Sequence, residues 1–416
     1  MIGGIKKILY FPIASYFKFF AQIRLNRWNP RIIVITGSSG KTTLLHLIES
    51  QLGTAAKYSH QANSSFGIPF DILDLHRKNL IFSEWPILFL LAPFTAFKAP
   101  PKEKLYIVEA DVDRPNEGKF LADLLNPEVT LWTGVGKTHA ANFNQLLKNK
   151  NFSIVEDAIG YEFGFYLEST SKLAIVNGDS DLINKQTKRS KAEIKNASQK
   201  NTDYYKLFKD RTEFRIKGKT YLINALLPKE ASLSIQMTLS LLECLDVKPD
   251  YSFSKFTLPP GRSGIFKGIK NTTIIDSSYN ATPDGVISIL EMFEFYPSNK
   301  KWLVLGDMIE LGEEEKEEHE KLAEIIGRMK LEKIILVGPR VSKYTYPKIK
   351  NAEKFLMPKD AMGYLTNNLK GREVVLFKGA RFLEGIIEHL LADKADVSNL
   401  CRREKIWQQR RKKWGL

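Results

Sequence analysis

The sequence predicts an α/β protein of two domains, and three observations carry that expectation. Short β-branched runs recur along the chain, each followed by a segment of helical spacing. The alternation halts at Pro259-Pro260-Gly261 and then starts again. The length, 416 residues, exceeds what one ordinary core supports.

Taken in order, Arg31 to Thr36 is a buried strand, Gly37 to Thr43 a loop, and Leu44 to Leu52 a helix. Trp85 to Phe97 is strongly apolar but too short to span a bilayer. Pro86 and Pro93 argue against a single straight helix there, so it reads as a buried or membrane-touching element. Leu105 to Glu109 and Val129 to Thr133 are further strands. Leu173 to Val176 is another, running into the turn Asn177-Gly178-Asp179. Residues 184–202, polar and lysine-rich, read as a surface loop or exposed helix. Thr212 to Ile223 alternates about Lys217-Gly218-Lys219, as a hairpin does. Ser232 to Leu245 is an amphipathic helix. Beyond Gly261 the strands are Thr272 to Ile275, Trp302 to Leu305, Lys333 to Val337 and Glu373 to Phe377, with helices at Gly285 to Phe295, Glu313 to Met329 and Gly385 to Leu391. That pattern predicts a smaller, Rossmann-like doubly wound domain. The expected division is an N-terminal segment 1–30, a central domain 31–258, a second domain 259–395 and a basic tail 396–416.

Two cysteines, Cys244 and Cys401, cannot build a disulfide framework or a cysteine-based zinc site, and a cytoplasmic location is expected. The net charge of +15 implies an anionic partner. Charge alone does not make a nucleic-acid binder, and no aromatic-basic recognition motif accompanies it, so no nucleic acid is expected. The tail from Arg402 to Lys413 reads either as a solvated extension or as a docking element. Residues 1–28 mix Ile5, Ile8, Phe17 and Phe20 with Lys6, Lys7, Lys18, Arg24 and Arg27, and hold no acid. Such a segment suits the surface of an anionic membrane; the alternative is a helix packed on the body of the protein.

The strongest local signal is Thr36-Gly37-Ser38-Ser39-Gly40-Lys41-Thr42-Thr43. Glycines let backbone N–H groups close around phosphates at a helix N-terminus. Lys41 adds a point charge, and the Thr42 hydroxyl is suited to Mg²⁺. A glycine turn beside a surface lysine would look similar, but the position between a strand and a helix favours nucleotide binding. The central domain is therefore expected to be a P-loop ATPase domain with a mostly parallel sheet.

Several further motifs, in register with this loop, resemble those of the Mur ligases. Asn63-Ser64-Ser65-Phe66-Gly67-Ile68-Pro69 looks like that family's Asn-rich segment. Glu109, with Asp111, Asp113, Pro115 and Glu117, matches its acidic strand end, and Thr138-His139 its histidine. Gly261-Arg262 matches the family's Gly-Arg pair. Asp276 to Pro283 and Gly306 to Gly312 with His319 are similar to motifs of the branch that adds D-alanyl-D-alanine, and Lys378-Gly379-Ala380-Arg381 resembles the family's closing Lys-Gly-Ser-Arg. What this resemblance implies is an ADP-forming amide ligase of peptidoglycan precursor synthesis. ATP would activate a carboxylate of a muramyl-tripeptide as an acyl phosphate, and D-Ala-D-Ala would attack it. ATP and Mg²⁺ are the implied cofactors. Lys41, Glu109 and His139 would be catalytic, with Thr42, Glu109 and His139 on metal. Gly37, Ser38, Ser39, Gly40, Lys41, Thr42, Thr43, Arg262, Asp276 and Asn280 would bind nucleotide. A monomer is expected.

The chain departs from the family in places. About 30 residues precede the nucleotide strand, so no N-terminal UDP-binding domain is expected, and a lipid-linked acceptor enters consideration. The family's carbamylated lysine falls at Tyr161. Asp157 shares that helix face and Glu162 is adjacent, yet both are shorter. Ser277 stands for an Asp, Ala380 for a Ser, and Pro228 to Ala231 for a Gly-x-His-Asn segment. These changes leave open a ligase with another acceptor and a non-catalytic nucleotide-binding scaffold.

Overall fold

A computed structural model describes residues 9–60, 62–77, 82–148 and 152–416. Residues 1–8 of the expected membrane-facing segment, with Ile5, Lys6, Lys7 and Ile8, lie outside them. The chain divides into two compact units. The first holds residues up to 135 together with 145–199 and 233–249. The second holds 136–144, 200–232 and 250–416.

The first unit is built on six parallel strands. These are β1 (Arg31–Thr36), β2 (Ala56–Ser59), β3 (Leu105–Ala110), β4 (Val129–Trp132), β5 (Leu173–Asn177) and β6 (Glu193–Ala197), in the order β2-β3-β1-β4-β5-β6. β1 is central and almost wholly buried, which is why its sequence is a continuous apolar run. The order reverses beside β1, so the loop after it opens at a switch point, where α/β sheets place ligands. β6 falls in the stretch read as loop or exposed helix. Its alternating charges suit an edge strand, and they hid it in the sequence.

Helices cover this sheet. α1 (Tyr10–Trp28) precedes β1, α2 (Lys41–Leu52) follows it, and α3 (Gly67–Leu73) and α4 (Trp85–Ala96) come next. α1 packs on the body of the unit. Phe17 is fully buried, with its ring 4.8 Å from that of Phe70 and 5.1 Å from that of Phe89. Arg24, also buried, donates to the carbonyls of Leu73 and Thr95. α4 is one helix despite two prolines. Pro86 sits in its first turn, where no N–H is needed. Pro93 lies inside and cannot donate to the Phe89 carbonyl four residues back; the Tyr16 hydroxyl of α1 donates there instead, at 2.8 Å. α5 (Glu117–Leu125), α6 (Val155–Glu168) and α7 (Asp181–Thr187) complete the layers. α8 (Ala231–Cys244) buries Leu233, Met237, Leu241 and Leu242 in the core around Ile33 and Ile35.

The second unit has a six-stranded sheet in the order β10-β11-β15-β12-β13-β14. Its strands are β10 (Gly264–Lys267), β11 (Thr273–Ser277), β12 (Lys301–Gly306), β13 (Lys333–Val337), β14 (Ala352–Phe355) and β15 (Val374–Lys378). Only β10 runs antiparallel. The helices are α9 (Pro283–Phe295), α10 (Glu315–Arg328), α11 (Pro358–Asn368) and α12 (Leu383–Leu390). The expected hairpin forms as β8 (Thr212–Ile216) and β9 (Lys219–Ile223). β7 (Thr202–Leu207) adds a third strand, and the small sheet belongs with this unit. The basic tail docks. Arg402 and Arg403 reach Glu384 and Glu388 of α12, and buried Arg411 from α13 (Lys405–Lys412) approaches the same two carboxylates.

Phe17 holds α1 among four aromatic rings of α3, α4 and the residue before α3. Phe17→Ala is expected to cost about 3–5 kcal/mol, as truncation of a buried phenylalanine does. Urea denaturation would measure it, and a loss below about 1 kcal/mol would show that α1 is not docked in solution.

Candidate active site

Between β1 and α2 the loop takes two left-handed turns, at Gly37 (φ 125°) and Gly40 (φ 81°). A side chain at Gly37 would place Cβ 2.4 Å from the Thr133 hydroxyl. That hydroxyl donates to the loop carbonyls of Thr36, at 3.1 Å, and Ser39, at 2.5 Å. Gly37 is thus required by conformation and by space. Lys41, the first residue of α2, is 7% exposed. Its ammonium donates to the Gly37 carbonyl and lies 2.7 Å from the carboxylate of Asp111, itself buried. The Thr42 hydroxyl is 3.2 Å from a carboxylate oxygen of Glu109, the second-last residue of β3.

The acidic strand end is held by its neighbours. The Ser59 hydroxyl, at the end of β2, accepts the Glu109 N–H, and the Asn63 carbonyl accepts that of Asp111. Asn63 therefore lies against the strand end. Ser65 donates from both its N–H and its hydroxyl to the buried carboxylate of Glu117. Gly67 opens α3. Glu162 is buried and accepts the N–H groups of Asn116 and Gly118 at the start of α5. Burial raises its pKa against those two hydrogen bonds. Tyr161 is 41% exposed, edge-to-face with Phe165 and covered by the Arg189 guanidinium. Asp157 faces Lys185.

In the second unit, His139 adopts a left-handed conformation, and its Nδ1 is 2.7 Å from a carboxylate oxygen of Glu310. The hydrogen bond from His139 lowers the Glu310 pKa. Asp276 ends up fully buried, and burial raises its pKa although the Ser278 hydroxyl and N–H both donate to it. Arg262 stacks over Tyr279, 4.9 Å from the ring centre. The Asn280 side chain accepts the N–H of Ala281, and its carbonyl accepts from Lys378 at 2.6 Å. Asp307 gathers the N–H groups of Arg340 and Val341 and the Arg381 guanidinium. Gly306 and Gly379 stand back to back: a Cβ on Gly379 would lie 2.4 Å from the Gly306 nitrogen. His319 is buried, donates from Nδ1 to Glu315 and accepts the Met308 N–H at Nε2, so it is neutral; burial lowers its pKa.

Two family matches cover most of the chain. The Mur ligase middle domain matches residues 35–240, and the "Mur ligase, glutamate ligase domain" matches residues 261–381. The chain belongs to the Mur ligase family. Among similar Mur ligases, the UDP-N-acetylmuramoyl-tripeptide–D-alanyl-D-alanine ligase of Bacillus subtilis is 24% identical over 396 residues, 89% of this chain and 78% of that protein. The MurF ligase of Thermotoga maritima, solved with ADP, has a TM-score of 0.73 at 20% identity and covers 95% of this chain and 84% of that one. MurF from Acinetobacter baumannii has a TM-score of 0.72 at 18% identity, covering 92% and 80%.

Of the residues singled out from sequence, Gly37 to Thr43 and Glu109 come together in the first unit. His139, Arg262, Asp276 and Asn280 belong to the second. Sequence reasoning gave no role to Asp111, the partner of Lys41, or to Thr133, which ties the loop. Asp111 was visible within the acidic motif. Thr133 carried no signal beyond ending a strand.

The Mur ligase motif lysine Lys378 is buried, and burial with nearby Arg262 pushes its pKa down to about 7 against the pull of Asp276. The unfolded chain keeps that proton to about pH 10.4. Between about pH 7 and 10 the unfolded state binds more protons, so this site's contribution to stability rises with pH. The Tm of Lys378→Met minus that of the wild type is expected to be most positive at or below pH 7 and to decline towards pH 10. A difference independent of pH, in calorimetric scans across that range, would show that Lys378 does not titrate there.

Proposed function

We propose that this Mur ligase is an ADP-forming peptide ligase that joins D-Ala-D-Ala to a muramyl-tripeptide in peptidoglycan precursor synthesis. The observation that carries the reading is the pairing of the Thr42 hydroxyl with the Glu109 carboxylate, 3.2 Å apart, beside the buried ammonium of Lys41. Two hard oxygen donors next to a phosphate-binding loop suit Mg²⁺. The name of the Bacillus subtilis relative supports the substrates, and the ADP held by the Thermotoga maritima relative supports ATP.

On this reading, Gly37 to Thr43 offer backbone N–H groups to the triphosphate, and Lys41 leaves Asp111 for its oxygens. Thr42 and Glu109 would hold one Mg²⁺, and Glu109 with His139 a second. When bound, the metal neutralises charge on the transferring phosphoryl group. Arg262, Asp276 and Asn280 serve the nucleotide from the second domain. The substrate carboxylate attacks the γ-phosphorus and ADP leaves. The amine then attacks the acyl carbon, loses a proton and expels phosphate. The proposed domains are 31–258 and 259–395, with the gap between the two family matches supporting that cut. The active unit is proposed to be a monomer, placed at an anionic membrane surface through its N-terminal segment; the basic, aromatic composition of that segment supports the placement.

A second reading is a nucleotide-binding scaffold without turnover. It is favoured by α6, where Tyr161 stands in place of the carbamylated lysine. The nearest carboxylate, Glu162, is engaged with the backbone of Asn116 and Gly118.

Phosphate release with MgATP, D-Ala-D-Ala and UDP-linked or lipid-linked muramyl-tripeptide separates the two. Turnover that needs both substrates, and falls about 100-fold or more in Lys41→Ala and Glu109→Gln, is expected. ATP binding with no turnover for either acceptor would establish the scaffold. Gly37→Ala is expected to weaken ATP binding about tenfold or more, roughly 1.4 kcal/mol, in a fluorescent-nucleotide titration. Gly327→Ala, in open space on α10, is the control and should bind as the wild type does.

A further inference from the structure

α4 has two faces of different kinds. Leu88, Ala92, Thr95 and Ala96 are buried against the first unit. Ile87, Leu90, Leu91, Phe94 and Phe97 are 43–71% exposed. Their spacing, three and four residues apart, puts all five on one stripe of the helix. Large side chains scattered singly on a surface need no explanation, but a contiguous stripe of five does.

We infer that this outer face of α4 is a membrane-docking surface that enters the headgroup–acyl boundary of an anionic bilayer. The inference rests on the membrane-peripheral placement proposed above and names the surface that makes the contact. Polarity supports a lipid over a protein partner. The stripe offers no hydrogen-bonding side chain, whereas protein interfaces carry about one hydrogen bond per 100–200 Å². A helix satisfies its own backbone, so an acyl environment asks nothing further of it. The carbonyl that Pro93 leaves unmatched is on the inner side, taken by Tyr16.

Charge supports an anionic surface. Arg27, at the end of α1, donates to the carbonyls of Ala96 and Lys98, closing the C-terminal end of α4, and its guanidinium is 5.7 Å from the Phe97 ring. Lys98, Lys102 and Lys104 follow and are exposed. Among the described residues, the acids near the helix ends include Glu84, which faces Arg77 at 3.6 Å, partly buried Glu103, and exposed Asp74, which acts on the charge of Arg24. No acidic residue precedes Glu49 in the chain. Self-pairing through this face would bring one basic rim against another, which opposes a second copy as the occupant. Lysine and arginine beside an apolar stripe are attracted to anionic headgroups while the stripe is buried.

Length fixes the mode. Twelve residues make about 18 Å of helix, well short of the roughly 30 Å hydrocarbon core, so α4 lies in the plane of the interface. Among the described residues no helix is long and apolar enough to cross a membrane. The N-terminal helix has a different part. Its aromatic residues mainly pack inward, and ring contacts from exposed Phe19 through Phe20 and Tyr16 to Phe89 join it to α4.

Flotation of the full chain with phosphatidylcholine–phosphatidylglycerol vesicles, and with phosphatidylcholine alone, tests this. The wild type is expected to float with the mixed vesicles and less with the neutral ones. Leu90→Ser/Phe94→Ser should weaken partitioning roughly tenfold or more at unchanged thermal stability. Leu222→Ser, on the exposed side of β9, should leave it unchanged. If the wild type floats with neither vesicle, the membrane placement and this inference fall together. If it floats and Leu90→Ser/Phe94→Ser floats equally, the placement stands and this face is rejected. If the wild type stays with neither vesicle but is a dimer that the double variant makes monomeric in light scattering, the face is an interface between copies and the inference is overturned.

Discussion

The first unit turns on one buried charge. Lys41 is almost fully enclosed, and an ammonium in such a place needs anionic or carbonyl partners close by. Here these are Asp111 and the Gly37 carbonyl. Everything around it serves to keep them there. The β1–β3 pairing sets Thr36 beside Ala110, one residue from Asp111, and Thr133 clamps the loop through two carbonyls. A phosphate can displace a carboxylate from this lysine because both are oxyanions. The pair therefore presets the geometry that a nucleotide would use while keeping the charge compensated without one.

The second unit has its own buried hub, Asp307. Its carboxylate collects two backbone N–H groups and a guanidinium, and a Cβ at Gly338 would approach it to within 2.6 Å. This accounts for several motif residues that look chemical in the sequence. Gly306 and Gly379 permit two loops to touch. Neutral His319 ties α10 to the residue after Asp307. The Gly306–Gly312 and Lys378–Arg381 motifs are thus partly architecture: they hold strand ends together, and His139 meets Glu310 from the first of them.

Much of the fold was legible because buried parallel strands are written as unbroken apolar runs, as in β1, β3 and β15. The strands that escaped, β2, β6, β7, β10 and β14, all lie at sheet edges, where the sheet asks little of the side chains. The nucleotide loop was legible because glycine and lysine are each required there by geometry. Residues acting through contact across the sheet were not: Ser59 and Thr133 are ordinary strand-end residues until β2, β3, β1 and β4 are laid side by side. Glu162 shows the converse. Its proximity to Tyr161 in sequence suggests a stand-in for the modified lysine, but its carboxylate serves the start of α5 instead.

Pro93 draws these strands together. In sequence it argues against a helix, and its missing N–H does leave a carbonyl unmatched. The Tyr16 hydroxyl supplies the donor, so helix α4 is completed by a residue from α1. That hydrogen bond also orients α4, because the carbonyl that needs a partner must face the body. Leu88 and Ala92 then point inward, and Ile87, Leu90 and Phe94 point outward. The exposed stripe is in this sense a consequence of where the proline falls. Were Pro93 on the opposite side, the unmatched carbonyl would face outward, and burial of that face in lipid would leave it unsatisfied. The placement of the one helix-disrupting residue on the protein side is what leaves the other side free of any polar demand.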